Sequence, residues 1–270
     1  MQTAIITGGA GGMGLATAAI LGRDHKVVIA DVDRERLDAA ADGLRAAGVD
    51  AQAEVCDITD RASVDALFAA AGPELRAVVH AAGVSPQMGS GAMIARINAL
   101  GTVHIDTAAL EVAGDGFAVV NVASIAGHML PSALAPRRTY RLALTDPEAF
   151  SAKLESKARR PGSAYSVSKN FVLWYTRKMA AAFGAKGARV LSVSPGTFDT
   201  SMGRLEEKSG SGKLVEFAAL KRFGRPEEVA ELLAFCAGDK AGYLTGTDIL
   251  IDGGAKAGLG LRGVIALARG

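Results

Sequence analysis

The chain has 270 residues with 30 Lys and Arg against 28 Asp and Glu, a net charge of +2. No basic arm interleaved with aromatics stands out, so nucleic acid is not an expected partner. Only 5% of the residues are aromatic and 33 are glycine, a composition suited to a parallel sheet covered closely by helices on both faces, in the single domain this length allows.

Strand and helix patterns alternate from the first residues. Thr3–Thr7 is a β-branched run, Gly12–Gly22 has small and apolar residues at helical spacing, and Lys26–Asp31 reads as a second strand. Asp33–Ala47 reads as a helix with charges on one face, and Ala51–Cys56, Ala62–Ala71 and Leu75–Ala81 continue the alternation. Later strands are expected at Phe117–Ala123, Arg189–Val193 and Asp248–Ile251, with helices centred near Val103, Val172 and Leu232. Strands separated by helical segments predict right-handed βαβ crossovers, hence an α/β fold with a Rossmann-type, doubly wound parallel sheet.

From His128 to Gly162 the alternation stops. The stretch holds Pro131, Pro136, Pro147 and Pro161, and seven basic residues: Arg137, Arg138, Arg141, Lys153, Lys157, Arg159 and Arg160. Thr145-Asp-Pro-Glu resembles a helix start with proline in the first turn, after which Phe150 and Leu154 share a face. The expectation is a helical insertion, serving as a solvated excursion, a substrate lid or a subunit contact.

Cys56 and Cys236 lie in apolar runs without zinc spacing, so both read as small buried hydrophobes and no metal site is expected. No apolar run reaches membrane-spanning length. The first strand begins without leader-like regions before it, so a cytoplasmic protein with no membrane partner is expected.

Gly8, Gly12 and Gly14 follow the first strand and open the first helix. Residues without Cβ let backbone N–H groups approach a pyrophosphate at the positive end of that helix. Asp31 ends the second strand about twenty residues on, where a carboxylate can accept from the adenosine ribose hydroxyls and would repel a 2′-phosphate. NAD is therefore preferred to NADP, although Arg34 lies close enough in sequence to blur the choice, and Asp31 could instead cap the next helix. Asp57, after the third strand, is either a turn acid or a contact for the adenine amino group.

Tyr165 and Lys169 lie one helical turn apart, so their side chains can converge. A free phenol titrates near ~10, and a neighbouring ammonium with an oxidised nicotinamide would favour the phenolate and bring that value toward working pH. Asn121-Val-Ala-Ser124 closes a strand and puts the Ser124 hydroxyl at the carboxyl edge of the sheet, where open α/β sheets bind ligands. Pro195-Gly196 ends the next strand, with Thr200 beyond it.

With these motifs in order from Thr3 to Gly254, the chain resembles the short-chain dehydrogenase/reductase family. The motifs are Thr7-Gly8-x-x-x-Gly12-x-Gly14, Asn98, Asn121-x-x-Ser124, Tyr165-x-x-x-Lys169 and Pro195-Gly196, followed by Gly224-Arg-Pro-Glu-Glu-Val-Ala and Ile251-Asp-Gly-Gly254. The resemblance implies that Tyr165 is the general acid and base and that Ser124 holds the substrate oxygen. It implies that Lys169 supports Tyr165 and binds the nicotinamide ribose, that Asn98 holds a water linking Lys169 to solvent, and that Thr200 meets the carboxamide. It also places Met13, Ile58, Ala82, Gly83, Pro195, Gly196 and Phe198 along the cofactor. Taken singly, Asn98 could mark a helix kink and Thr200 a helix cap.

Two departures stand out. His80-Ala-Ala-Gly83 occupies the place of the family's Asn-Ala-Gly run, and His80 reads as a buried, hydrogen-bonded strand residue. Ser124 and Tyr165 are 41 positions apart, much more than is usual in the family, and the insertion accounts for the excess. A similar enlargement, and Ala82-Gly83-Val-Ser-Pro-Gln87, resemble bacterial 3α-hydroxysteroid dehydrogenase/carbonyl reductases, in which this segment changes how subunits associate.

Residues 201–223 mix glycines with Met202, Leu205, Leu214 and Phe217 and are expected to form a substrate lid favouring a hydrophobic alcohol or ketone. The apolar tail 255–270 points to burial in a homo-oligomer, a dimer or tetramer. The leading expectation is an NAD(H)-dependent oxidoreductase interconverting a secondary alcohol and a ketone, with a hydrophobic or steroid-like substrate. A reductase or epimerase of an acyl thioester or sugar is the alternative. A dinucleotide-binding regulator without catalysis is a third, against which the complete Ser, Tyr and Lys set argues.

Overall fold

The computed structural model describes residues 1–206 and 212–259. Seven strands form one parallel sheet: β1 Thr3–Thr7, β2 Lys26–Asp31, β3 Ala51–Val55, β4 Leu75–His80, β5 Ala118–Val122, β6 Arg189–Pro195 and β7 Asp248–Ile251. Their order is β3-β2-β1-β4-β5-β6-β7, so the winding reverses between β1 and β4. That reversal opens a crevice at the carboxyl ends of the strands, and the glycine turn, Asn121-x-x-Ser124, Pro195-Gly196 and Ile251-Asp-Gly-Gly254 all sit at strand ends facing it.

The long helices are α1 Gly12–Leu21, α2 Arg34–Ala46 and α3 Arg61–Ala71, then α4 Gly91–Ala95, which runs through a π-turn at Arg96–Leu100 into α5 Gly101–Val112. The strand residues alternate with period two between two cores. Ile5, Val28, Val78, Val119 and Val190 are buried on one face, and Ile6, Ile29, Val79, Val120 and Leu191 on the other. Each fully buried aliphatic side chain contributes about 1.5–3 kcal/mol, whereas an exposed ion pair contributes about 0–1 kcal/mol, so the two cores dominate the stability. β6 runs to Pro195, two residues past the expected end, because it keeps pairing with β7 through Ile251.

The insertion is helical, as expected, but it is packed on one side. It comprises α6 Ile125–Met129, α7 Arg137–Tyr140 and α8 Pro147–Glu155, joined by short 3₁₀ turns, and leads into the long α9 Pro161–Gly184. Asp146 caps α8 by accepting the Ala149 N–H at 2.9 Å, with Pro147 in the first turn. Phe150 and Leu154, expected to share a face, are both buried. The Phe150 ring lies 4.5 Å from that of Phe171 on α9, Tyr140 lies 5.2 Å from the same ring, and the Tyr140 hydroxyl donates to the Val167 carbonyl at 2.8 Å. The seven basic residues are all exposed. The segment therefore has one solvated face and one face fused to α9. Beyond it come α10 Ser201–Glu206, α11 Lys213–Phe217, α12 Pro226–Ala237 and α13 Ala255–Gly258. Part of the expected lid, including Gly210, and residues 260–270 of the tail lie outside the described residues.

One polar cluster interrupts the core. Asn121 Nδ2 donates to Asp106 Oδ2 on α5 at 3.0 Å and to Thr176 Oγ1 on α9 at 3.2 Å. The remaining oxygens, Asp106 Oδ1 and Asn121 Oδ1, are buried without a partner. Burial pushes the Asp106 carboxyl up to about 7, with the Asn121 amide opposing the shift. The unfolded chain ionises Asp106 near pH 4 while the fold resists until about 7, so this residue lowers stability progressively as pH rises across that window. Asp106→Asn offers Asn121 Oδ1 a donor and removes the titration. Its melting temperature relative to the parent chain should rise between pH 4 and pH 7 and stay raised at pH 8; a pH-independent difference would contradict the assignment. Phe150→Ala should cost about 3–5 kcal/mol in urea denaturation, whereas a loss below about 1 kcal/mol would mean the insertion is not part of the core.

Candidate active site

The glycine turn between β1 and α1 depends on missing side chains. Gly8 has φ +67° and Gly12 φ +52°, conformations that L side chains rarely adopt. A Cβ on Gly8 would come within 2.8 Å of the Ala82 nitrogen, and one on Gly14 would strike the Gly8 carbonyl. A Cβ on Gly12 would project to 3.5 Å from the Thr200 methyl. The start of α1 has no side-chain cap, so its first N–H groups are left for a ligand. The bare turn, the uncapped ten-residue helix and Thr200 opposite fit a dinucleotide pyrophosphate.

At the end of β2, Asp31 accepts the Val32 N–H at 2.8 Å and the Asp33 N–H at 3.4 Å. The cap of α2 falls to Asp33, which accepts the Arg36 N–H at 3.1 Å, so Asp31 is not the helix cap. Arg34 pairs with Asp38 at 3.3 Å along its own helix. Instead Arg36, which the sequence reading did not single out, brings Nη2 to 2.9 Å from where a Gly11 Cβ would stand. Its guanidinium therefore lies across the glycine turn. A cation two helical positions past the expected one was legible only from the turn of α2.

Asp57 lies beyond the end of β3, and its carboxylate accepts the Thr59 N–H and hydroxyl, both at 2.8 Å, the turn role weighed for it. The Ile58 side chain packs where a Gly101 Cβ would stand, and its carbonyl meets His104 Nδ1 at 3.1 Å. Met13 is partly buried against the core beneath the glycine turn.

Ser124, at the end of β5, is 8% exposed, and its Oγ accepts the Ala126 N–H at 3.2 Å as the cap of α6. Tyr165 and Lys169 sit on α9. The Lys169 ammonium, on a residue only 6% exposed, donates to the Val122 carbonyl at 2.8 Å, two residues before Ser124. It lies 6.0 Å from the centroid of the Tyr165 ring. Asn98 sits inside the π-turn, a helix irregularity common at functional sites. Its amide exchanges two bonds with the Val84 backbone, at 2.8 and 2.9 Å. A Cβ on Gly83 would come within 3.1 Å of Asn98 Oδ1 and 3.5 Å of Lys169 Nζ. The structure therefore brings Asn98, Lys169, Tyr165 and Ser124 to one side of the crevice, with bare Gly83 between Asn98 and Lys169.

His80 is buried and its Nδ1 lies 2.8 Å from Thr7 Oγ1, while the Ala82 N–H donates to the same hydroxyl at 3.2 Å. Desolvation, with Lys169 as a lesser cause, pushes its value down to about 3. A neutral imidazole and Thr7 thus link β1 to β4 where the family has an amide. Gly196 sits against Asp252, where a Cβ would come within 2.7 Å of Cα, and Pro195 ends β6. The Phe198 ring is buried in the core beside Gly224, which leaves its backbone as the part nearer the crevice. Thr200 Oγ1 accepts the Gly203 N–H at 3.0 Å, so it caps α10 as well as facing Gly12. Cys56 and Cys236 are buried free thiols, with burial pushing both up to about 11. No metal-binding cluster occurs among the described residues, and no helix among them is long and apolar enough to cross a membrane.

Comparison with known proteins bears on the family and the fold. Residues 2–136 match the family model described as short chain dehydrogenase, and residues 151–256 match one described as enoyl-(acyl carrier protein) reductase. The chain is 32% identical to a cis-4-hydroxycyclohexanecarboxylate dehydrogenase of Sinomonas cyclohexanicum, over 95% of this chain and 97% of that protein. It is 27% identical to a cyclohexanol dehydrogenase of Acinetobacter sp. (strain SE19), over 93% and 94%. Among solved structures it is similar to a short chain dehydrogenase from Burkholderia cenocepacia J2315 in complex with NADP, with a TM-score of 0.76 and 25% identity over 94% and 98% of the two chains.

Proposed function

Because the chain belongs to the short-chain dehydrogenase/reductase family, we propose that it is an NAD(H)-dependent oxidoreductase that interconverts a secondary alcohol and a ketone on a hydrophobic, cyclic substrate. The observation that carries the reading is the bond from Lys169 Nζ to the Val122 carbonyl. It fastens the helix bearing Tyr165 to the end of the strand that leads into Ser124, so the phenol and the hydroxyl can reach one substrate oxygen. Gly8, Gly12, Gly14, Asp31, Ala82, Gly83, Pro195, Gly196 and Thr200 would hold the dinucleotide, with Met13, Ile58 and Asp57 beneath it and the Phe198 backbone beside it. A nicotinamide bound there supplies the hydride donor or acceptor.

The protein's own steps are proton handling and orientation. In reduction, the Tyr165 hydroxyl gives its proton to the carbonyl oxygen while the Ser124 hydroxyl donates to the same oxygen. In oxidation, the Tyr165 oxygen takes the alcohol proton. The Lys169 ammonium stabilises the phenolate by charge, and Asn98, across Gly83 from Lys169, would hold a water that returns the proton. On the substrate side, Ile125 next to Ser124 packs with Ala218, Ala255 and Leu214. An apolar cluster beside the residue that follows Ser124 supports a hydrophobic alcohol, and the two cyclohexane-alcohol relatives point to a ring, of which a steroid is a larger case. We include a homo-oligomer in this reading, supported by the exposed Leu220, Phe235 and Tyr243. Reduction of an acyl thioester is the second reading, supported by the description of the C-terminal family model.

NADH and NADPH fluorescence titrations, followed by oxidation assays on cyclohexanol, larger ring alcohols and an acyl thioester, test the reading. Tight NADH binding with ring-alcohol turnover is expected; turnover confined to the thioester would replace it with the second reading, and failure to bind either dinucleotide would overturn both. Tyr165→Phe should reduce turnover at least a thousandfold and leave NADH affinity within about twofold, and retained turnover would remove Tyr165 from the chemistry. Asp31→Ala should relax discrimination against NADPH, while Arg36→Ala should weaken NADPH more than NADH. Unchanged selectivity in both variants would place the determinant elsewhere.

A further inference from the structure

His128, four residues beyond Ser124, joins three elements on which the site depends. α6 has five residues, too few to hold itself, and Ser124 is its cap. Where α6 sits therefore decides where the Ser124 hydroxyl sits. One side of α6 is fixed by α9. A Cβ on Gly127 would come within 2.8 Å of the Lys169 carbonyl, and Asn170 Nδ2 donates to the Gly127 carbonyl at 2.8 Å.

The other side is held by the imidazole. His128 Nε2 lies 2.8 Å from Asp248 Oδ2 on β7 and 3.1 Å from Ser194 Oγ on β6. The Asp248 side chain is 3% exposed, and its other oxygen accepts from Ser192 Oγ at 2.6 Å and Ser194 Oγ at 2.9 Å. The second imidazole nitrogen, Nδ1, faces Lys256 Nζ on α13 at 3.3 Å. An ammonium has donors only, so Nδ1 is the acceptor and the ring proton sits on Nε2, directed at Asp248. The imidazole in this orientation thus bridges a carboxylate from the sheet and an ammonium from the C-terminal turn. That turn is tied in turn to the nicotinamide side. Asp252 accepts the Lys256 and Gly254 N–H groups, both at 2.8 Å, and packs against Gly196.

We propose that His128 is a positioning residue for the Ser124 hydroxyl, clamping α6 between Asp248 and Lys256 so that the hydroxyl faces the substrate oxygen. The proposal rests on the role given to Ser124 above. Nothing about the bridge requires it for folding of the sheet, because β6 and β7 pair through their backbones. Two serines two apart on β6, Ser192 opposite Asp248 in register and Ser194 beyond it, are its signature in the strand.

The test uses the full chain with NAD and cyclohexanol, together with amide hydrogen exchange and the imidazole nitrogen signals by NMR. In the parent protein His128 should show a protonated Nε2 and a bare Nδ1; the opposite tautomer overturns the proposal without any variant. His128→Leu should lower kcat at least tenfold, leave the KM for NAD within about twofold, and speed exchange at Ala126 and Gly127 but not at Val119 or Val120. His128→Gln, which keeps a donor for Asp248 and an acceptor for Lys256, should recover most of kcat. Unchanged kcat in His128→Leu, or unchanged exchange at Ala126, overturns the clamp. Should His128→Leu not fold, the kcat and exchange of His128→Gln beside Asp248→Asn decide: a loss in Asp248→Asn but not in His128→Gln is expected, and equal behaviour contradicts it. If the parent protein oxidises no alcohol, the tautomer and exchange readouts still judge the clamp, and only the oxidoreductase reading fails.

Discussion

A lysine that is almost fully buried must spend its donors on fixed acceptors, and this requirement shapes the centre of the molecule. Lys169 gives one donor to the Val122 carbonyl, a backbone group left over at the end of β5. The bond can form only because α9 approaches the sheet edge closely, and that approach needs Gly127 bare where α6 crosses the Lys169–Asn170 backbone. Tyr165, one turn before Lys169, and Ser124, two residues after Val122, are placed as consequences of the same contact.

The sheet supplies the other half of the arrangement. Its order reverses between β1 and β4, so the crevice lies at the ends of these strands, and their joint is closed by Thr7, His80 and Ala82. That joint passes beside the glycine turn, where a Gly8 Cβ would strike Ala82. Burial keeps His80 neutral, which suits a link that must not add a second charge near Lys169. Binding of a dinucleotide and placement of the proton-handling residues thus share the same strand ends, although they rest on different side chains.

Much of this was legible in the sequence because it is local. Alternating strands and helices, the glycine turn and the four-residue spacing of Tyr165 and Lys169 involve neighbours in the chain, and the structure gives each its expected element. The helix at Pro147 was legible from its cap and its Phe150–Leu154 face, but whether the insertion was solvated could not be read, since the Phe171 ring that receives Phe150 lies on another helix. Arg36 was missed for Arg34 because the choice depends on which way α2 turns its first residues. Asp106, His128 and Asp248 were missed because their partners lie 15 to 120 positions away. A buried acid in α5 could have been suspected from an aspartate in an apolar helical stretch, but its partner on β5 could not.

The most direct test of the account follows the hydrogen itself. Cyclohexanol deuterated at its carbinol carbon, incubated with the protein and oxidised NAD, should give cyclohexanone and NADH carrying one deuterium by mass spectrometry, and the Tyr165→Phe protein should form that labelled NADH at least a thousandfold more slowly. Ketone formed with unlabelled NADH, or with equal yield from the Tyr165→Phe protein, would contradict direct transfer at a site organised by Ser124, Tyr165 and Lys169.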